Sequence, residues 1–278
     1  MRYTEGKGRN EKAWPKRIVL ILSLCVLAAC AVYLGKYFYE SCRAANDIEE
    51  IRELVDEGGG GDAPKEEAQP EPEAEPEEPQ QERYAENGML LGYYNAYRKN
   101  SDMAGWVSIP GTKIDYPVMH KAGDNEFYLH RNFDKEYQYS GLPFIDGDCD
   151  LSLPSDNIII YAHNMRDGSM FAHLLDYEDR DFFEAHPKVK FDTNYKRGEY
   201  AVFAVFSTKV GAPDEFKYYS KTMFKDKNDF EEYVKEAKER SFYDTGVDVS
   251  YGDALLTLST CSYSRSNERT VVMAKKLF

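Results

Sequence analysis

The sequence predicts a mainly β domain joined to an N-terminal membrane segment. Eight short apolar or alternating runs, bounded by Gly, Pro, Asn and Asp, occur between residues 105 and 278. One clear amphipathic helix lies between the sixth and seventh runs, and an uncharged stretch lies near the N-terminus. Eight strands in one domain of this size indicate a barrel or a sandwich.

The N-terminus consists of a basic tail, residues 1–17, and an uncharged run, residues 18–35, just long enough to cross a hydrocarbon core. Six basic residues precede the run and only Lys36 and Arg43 follow it closely, so we expect a single-pass anchor with a cytoplasmic N-terminus and an extracellular remainder. A cleaved signal is the alternative, because residues 27–30 (LAAC) resemble a lipoprotein processing site. The apolar run continues past Cys30, which favours an uncleaved anchor.

An acidic linker is predicted to separate the anchor from the folded domain. A polar, helical juxtamembrane segment covers residues 36–57, and a run rich in Gly, Pro and Glu covers residues 58–86. Residues 62–83 contain nine acidic and two basic side chains, a net charge of −7, which is half of the chain's −14. This composition predicts an extended spacer without a core. No basic surface suited to nucleic acid stands out.

The folded domain is predicted at residues 87–278, long enough for one well-buried core. It opens with a short helix over residues 89–97. The expected strands cover residues 105–109, 113–119, 141–146, 157–163, 188–193, 199–210, 254–260 and 269–278. The helix at residues 228–240 has one apolar face, formed by Phe230, Tyr233, Val234 and Ala237, and we expect this face to pack on the strands.

Cysteine and histidine spacing predicts neither disulfides nor a metal site. Cys42, Cys149 and Cys261 follow the apolar run, an odd number with no framework spacing. No Cys/His cluster has the spacing of zinc ligands. The run DGDCD, residues 146–150, begins like a calcium-binding loop but lacks the glycine and glutamate that such a loop needs. We therefore expect no metal and no cofactor.

Three residues together indicate acyl-transfer chemistry. Cys261 ends the seventh predicted strand, and Arg269, eight residues later, begins the eighth. His163 ends the fourth and could accept the thiol proton, while the permanent charge of Arg269 suits an oxyanion. Taken singly, each residue has an ordinary explanation, because a strand-end cysteine is usually a buried apolar residue and a single His or Arg is usually structural.

Four stretches of the domain match one family closely. They are WVSIPGTKIDYPVM (106–119), DNEFYLHRNF (124–133), NIIIYAHNMRDGSMFAHL (157–174) and TLSTCSYSRSNER (257–269). With these stretches the chain resembles the sortases, membrane-anchored cysteine transpeptidases of Gram-positive bacteria. Class B is favoured by HNMRDGSMF, by the helices before the first strand and by the long helix before the seventh.

The resemblance implies an eight-stranded β-barrel with the active site at the ends of the fourth, seventh and eighth strands. His163, Cys261 and Arg269 would be the catalytic residues. Family positions for substrate binding would fall on three further residues, Ser259, Asn125 and Leu129. No metal requirement is implied.

The implied reaction cuts a C-terminal sorting motif of a secreted protein after its threonine. The acyl part would be held as a thioester on Cys261 and passed to an amine of a peptidoglycan precursor. Two alternatives stay open, a pilin-polymerising sortase that uses a pilin lysine and a catalytically idle, membrane-tethered peptide-binding module.

Overall fold

The computed structural model describes residues 16–59, 83–151, 155–261 and 268–278. Most of the predicted basic tail, most of the acidic linker and the six residues after Cys261 lie outside these ranges. The chain divides into two compact units, Met1–Ala45 and Asn46–Phe278.

The first unit contains most of the apolar half of helix α1, which runs over Lys16–Gly59. Within the described residues, this is the one helix long and apolar enough to cross a membrane, and none of its apolar window is buried in protein. Exposed aromatic side chains, Tyr33, Phe38 and Tyr39, lie near or just after the C-terminal end of the uncharged run, residues 18–35. Aromatic residues are typical of a membrane–water interface.

The second unit is built around a closed β-barrel. Its eight strands, as far as the chain is described, are β1 (Met103–Ser108), β2 (Asp115–His120), β3 (Phe144–Ile145), β4 (Asn157–His163), β5 (Lys188–Thr193), β6 (Glu199–Lys209), β7 (Leu255–Cys261) and β8 (Glu268–Lys276). Their order around the barrel is β1-β2-β3-β4-β7-β8-β6-β5. The pairs β2–β3 and β4–β7 are parallel and the others antiparallel. The predicted eight-stranded barrel is thus confirmed.

Strand alternation divides the apolar side chains between two cores. In β4, Ile160 and Ala162 face the barrel interior, whereas Ile159 faces outward into a second cluster. Helix α4 (Lys227–Arg240) covers that outer cluster with its predicted apolar face, which is buried. Asp226 caps the helix by accepting from the Asp229 backbone N–H. This is the long helix predicted between strands six and seven.

Three further α-helical segments belong to the described part of the second unit. The last part of α1 packs on the barrel through the buried Ile48 and Ile51, while Arg52 forms a 3.0 Å ion pair with Asp115 of β2. Helix α2 covers Leu91–Lys99, close to its predicted position. Helix α3 covers Arg180–Ala185, and short 3₁₀ turns cover Phe127–His130, Ala172–Leu174, Asp176–Glu178 and Tyr218–Ser220. Helix α3 and these turns are too short to leave a periodic signal in the sequence.

Candidate functional site

The backbone register brings the three predicted catalytic positions to one end of the barrel. In the parallel pair β4–β7, His163 is the register partner of Cys261. In the antiparallel pair β7–β8, Ser259 lies opposite Val271. The recorded pairing ends there; continued by two residues, the same register would set position 261 level with Arg269. Three adjacent strands therefore end or begin at the same place.

His163 and Arg269 belong to the outer face of the barrel. His163 follows Ile159 with the period of a strand, and Arg269 precedes Val271 by two residues. Both Ile159 and Val271 belong to the outer cluster under α4. Of Cys261 the structure describes the backbone, which pairs with His163. The site is thus an outward-facing strand end next to an apolar cluster.

The His163 side chain is buried and held in one tautomer. Its Nε2 lies 2.9 Å from the Leu129 carbonyl oxygen. Because a carbonyl can only accept, Nε2 carries the proton and Nδ1 the lone pair. Burial, with a smaller contribution from the neighbouring His130, lowers the pKa of His163 to about 4. The imidazole is therefore neutral near pH 7 and can act as a base through Nδ1.

A second imidazole, which the sequence reasoning did not select, stacks on the first. The rings of His130 and His163 are 5.1 Å apart with an interplanar angle of 28°. The Tyr139 ring is stacked with both imidazoles, with its centroid 5.9 Å from that of His130 and 6.5 Å from that of His163. His130 directly follows Leu129, so its adjacency to a proposed pocket residue was the available signal.

Arg269 lies beside polar groups of the segment that precedes α4. Its backbone pairs with Thr208 of β6. The pKa of Glu215 is lowered, first by the backbone N–H of Gly211 and the hydroxyl of Tyr219, and further by the charge of Arg269. Glu215 is therefore an anion in the field of Arg269 over the physiological range.

Ser259 lies in a buried network. Its Oγ shares a 2.6 Å hydrogen bond with the Tyr218 hydroxyl, and both side chains are fully buried. The Tyr233 hydroxyl donates to the Tyr218 carbonyl, and the Asn157 amide donates to Tyr233. This network links β4, β7 and α4 just below the predicted site.

The other two proposed pocket residues lie in one short segment but have different hydrogen-bond partners. Leu129 is half-buried against the core and gives its carbonyl to His163. Asn125, four residues earlier, accepts a 2.5 Å hydrogen bond from the Gly147 backbone N–H. Leu129 thus contacts His163, whereas Asn125 is hydrogen-bonded to Gly147 in the loop after β3.

Cys149 lies in a contrasting environment. It is buried, its Sγ lies 3.7 Å from the Asn157 carbonyl, and burial raises the pKa of its thiol to about 11. A thiol with such a pKa remains protonated and unreactive near neutral pH. Cys149 is therefore a structural residue.

Comparison with known proteins identifies similar sequences. The model of the "Sortase domain" family matches residues 107–277. Sortase B of Listeria monocytogenes is 40% identical over 178 residues, which cover 63% of this chain and 70% of that protein.

Solved structures show a similar fold. Sortase B of Bacillus anthracis, in complex with AAEK1, has a TM-score of 0.69 and 27% identity, covering 86% of this chain and 98% of that one. The sortase B–substrate complex of Staphylococcus aureus has a TM-score of 0.61 and 31% identity, and the match covers 67% of this chain and 84% of that one. A sortase B complexed with triglycine matches with the same TM-score and identity, covering 67% and 85%.

Proposed function

This chain belongs to the sortase family, in its class B, and we propose that its reaction runs through Cys261, His163 and Arg269. It is a cysteine transpeptidase. The observation that supports the residue assignment is the pairing of His163 with Cys261 in β4–β7, next to strand β8, which begins at Glu268 and carries Arg269.

Cys261 is proposed as the nucleophile and His163 as the proton carrier. The Cys261 thiol gives its proton to Nδ1 of His163 as the sulfur attacks the carbonyl carbon of the substrate threonine. The tetrahedral intermediate then collapses to a thioester, and the same proton passes to the leaving amine. An incoming amine attacks the thioester and loses a proton to His163, which passes it to the departing sulfur of Cys261, so the free thiol is regenerated. Protons balance over the cycle.

Arg269 is proposed to stabilise the oxyanion that forms in both halves of the reaction. A guanidinium is permanently charged and offers several donors in a fixed plane, so it cannot be replaced by a point charge without loss. The nearby Glu215 and Tyr219 are polar neighbours that help to keep this cation at the strand end.

We propose the substrates from the family and from the related complexes. A secreted protein with a C-terminal sorting motif would supply the threonine, bound near Ser259, Asn125 and Leu129. The related sortase B with triglycine supports an amine-bearing acceptor. For this chain we propose the amine of a peptidoglycan precursor.

The N-terminal organisation fits substrates that meet at a membrane surface. We propose that residues 18–35 are the anchor, that residues 36–57 form a helical segment, that residues 58–86 are a spacer and that residues 87–278 hold the catalytic domain. The apolar part of α1 supports the anchor by its length and composition. The basic tail, residues 1–17, would lie in the cytoplasm and the catalytic domain outside the cell.

The test uses the full-length protein in detergent micelles. It is incubated with a library of sorting-motif peptides and triglycine, and the products are compared between wild type and Cys261→Ala. We expect cleavage after threonine, a peptide adduct on Cys261 and transfer to triglycine, all lost in the variant. Absence of any cleavage or adduct with wild type would point to an idle binding module. A requirement for a lysine-bearing pilin peptide in place of triglycine would point to pilus assembly.

A further inference from the structure

The loop over residues 127–142 holds His163 from two sides. Leu129 accepts from Nε2 of His163, and the next residue, His130, stacks on the same imidazole. Nδ1 of His130 lies 2.9 Å from the Tyr139 carbonyl and so donates to it. Each imidazole thus bonds to a carbonyl of this one loop.

The loop is closed by its own backbone hydrogen bonds. Gln138 N–H donates to the His130 carbonyl, and Leu142 N–H donates to the Tyr128 carbonyl. Arg131 and Tyr137 form a β-bridge between its two arms. The position of the Leu129 carbonyl is therefore coupled to the position of His130, because the two residues share a peptide unit in a closed loop.

The stack also has an electrostatic effect. Among the described residues, the titratable groups next to the imidazole pair include Tyr137 and Tyr139, whose rings lie near His130, and Cys261, the register partner of His163; Arg269 lies on the next strand, β8. A proton on His130 would place a positive charge on a ring 5.1 Å from His163. His130 therefore opposes protonation of His163, which adds to the effect of burial.

We propose that His130 is a positioning residue for the transpeptidase reaction: its ring and its hydrogen bond to Tyr139 fix the orientation, the tautomer and the neutral state of His163. This inference rests on the proposed role of His163. His130 itself contacts neither the substrate nor the reacting sulfur in this assignment. Its effect is expected in kcat and in the pH dependence of the reaction.

The test separates the ring from the hydrogen bond. His130→Phe keeps the stacking ring, His130→Asn keeps a donor for the Tyr139 carbonyl, and His130→Ala keeps neither. Full-length protein is assayed with triglycine and the best-cleaved peptide of the library, from about pH 3.5 to 9, so that the range includes the acid limb set by His163. We expect His130→Ala to lose on the order of tenfold in kcat with KM little changed, and Phe and Asn each to recover part of it. In His130→Phe the acid limb of kcat should move up by about half a pH unit, the effect of removing a unit charge about 5 Å away in water-like surroundings.

His186→Ala is the matched control. His186 also packs on an aromatic ring, Phe182, and its Nδ1 also bonds to a main-chain carbonyl, that of Pro110. It should leave kcat and the pH profile unchanged. A second measurement, the pH dependence of Cys261 alkylation by iodoacetamide followed by peptide mass spectrometry, should show the same shift in His130→Phe.

The outcomes are distinguishable. The inference is overturned if His130→Ala has the kcat of the wild type and an unshifted pH profile of kcat. It is also overturned if all three variants lose the same activity and neither the pH profile of kcat nor that of Cys261 alkylation changes. If His130→Ala fails to fold, the comparison of His130→Phe with wild type decides, because the phenyl ring preserves the stacked contact. A wild-type protein that neither cleaves peptides nor forms an adduct contradicts the proposed function itself.

Discussion

Gly141→Ala should damage both the stability and the activity of this sortase, although residue 141 is not one of the proposed catalytic residues. Gly141 has a φ of 55°, a left-handed conformation that disfavours side chains. A Cβ built there would collide with the carbonyl oxygens of Leu129 and Tyr128. The Leu129 carbonyl accepts the hydrogen bond from His163, the proposed base, so moving this carbonyl would also displace the His163 side chain.

The size of the effect follows from two contributions. The left-handed backbone with a side chain costs about 1 kcal/mol. Displacing the Leu129 carbonyl adds the loss of a buried hydrogen bond, about 1 kcal/mol, and about 1 kcal/mol more from packing strain. A total near 3 kcal/mol lowers the unfolding temperature by roughly 6–12 °C in a domain of this size. A shift of His163 of up to about 1 Å lowers kcat by about 10- to 100-fold.

Gly246→Ala is the control for the backbone contribution. Gly246 has a φ of 71°, and its Cβ would meet no atom within 4 Å. This variant should lose about 1 kcal/mol and keep wild-type kcat. Both full-length variants are measured by thermal unfolding and by peptide turnover. If Gly141→Ala unfolds at the same temperature as Gly246→Ala and turns over peptide normally, the coupling of residue 141 to His163 is wrong.

Acidification should destabilise the fold, because the pKa of His163 is lowered from 6.5 to about 4. Between pH 6.5 and 4 the unfolded chain binds a proton at residue 163 that the folded protein does not, so up to about 3 kcal/mol of the free energy of unfolding is lost as the pH falls. The variant His163→Gln should not show this loss when unfolding is measured as a function of pH. Tyr218→Phe should cost about 1–3 kcal/mol by leaving the buried Ser259 hydroxyl without its partner, and adding Ser259→Ala should restore part of it; an additive loss in the double variant would contradict the pairing. Arg269→Lys should reduce kcat/KM by about 100-fold or more at an unchanged unfolding temperature, and near-normal turnover would exclude the oxyanion role.

Local patterns were sufficient to predict the eight strands and helix α4, but not helix α3 or the short 3₁₀ turns. The strand predicted at residues 157–163 has those same bounds, because a run of β-branched residues between turn-forming residues strongly favours an extended strand. The face of α4 was likewise predicted from its apolar spacing. Sequence alone left the choice between a barrel and a sandwich open, since closure depends on which strands pair.

The geometry of the site depends on pairings between distant parts of the chain. The β4–β7 pair joins His163 to a residue 98 positions later. No periodicity encodes this parallel register, so it entered the sequence reasoning through the resemblance. His130 was missed for a similar reason. Its role comes from a ring stack between a loop and a strand end, and its adjacency to Leu129 in the sequence does not by itself predict that stack.

The neutral state of His163 determines when charge develops in the proposed reaction. A buried imidazolium is unfavourable unless an anion compensates it, which is why burial lowers the pKa. Transfer of the thiol proton to Nδ1 becomes favourable only when the sulfur, or the oxyanion that follows, supplies the compensating negative charge. Arg269 would then share that anion with His163 during the attack. Proton transfer and bond formation at Cys261 are therefore expected to be coupled, and a solvent deuterium isotope effect on the acylation step would be the consequence.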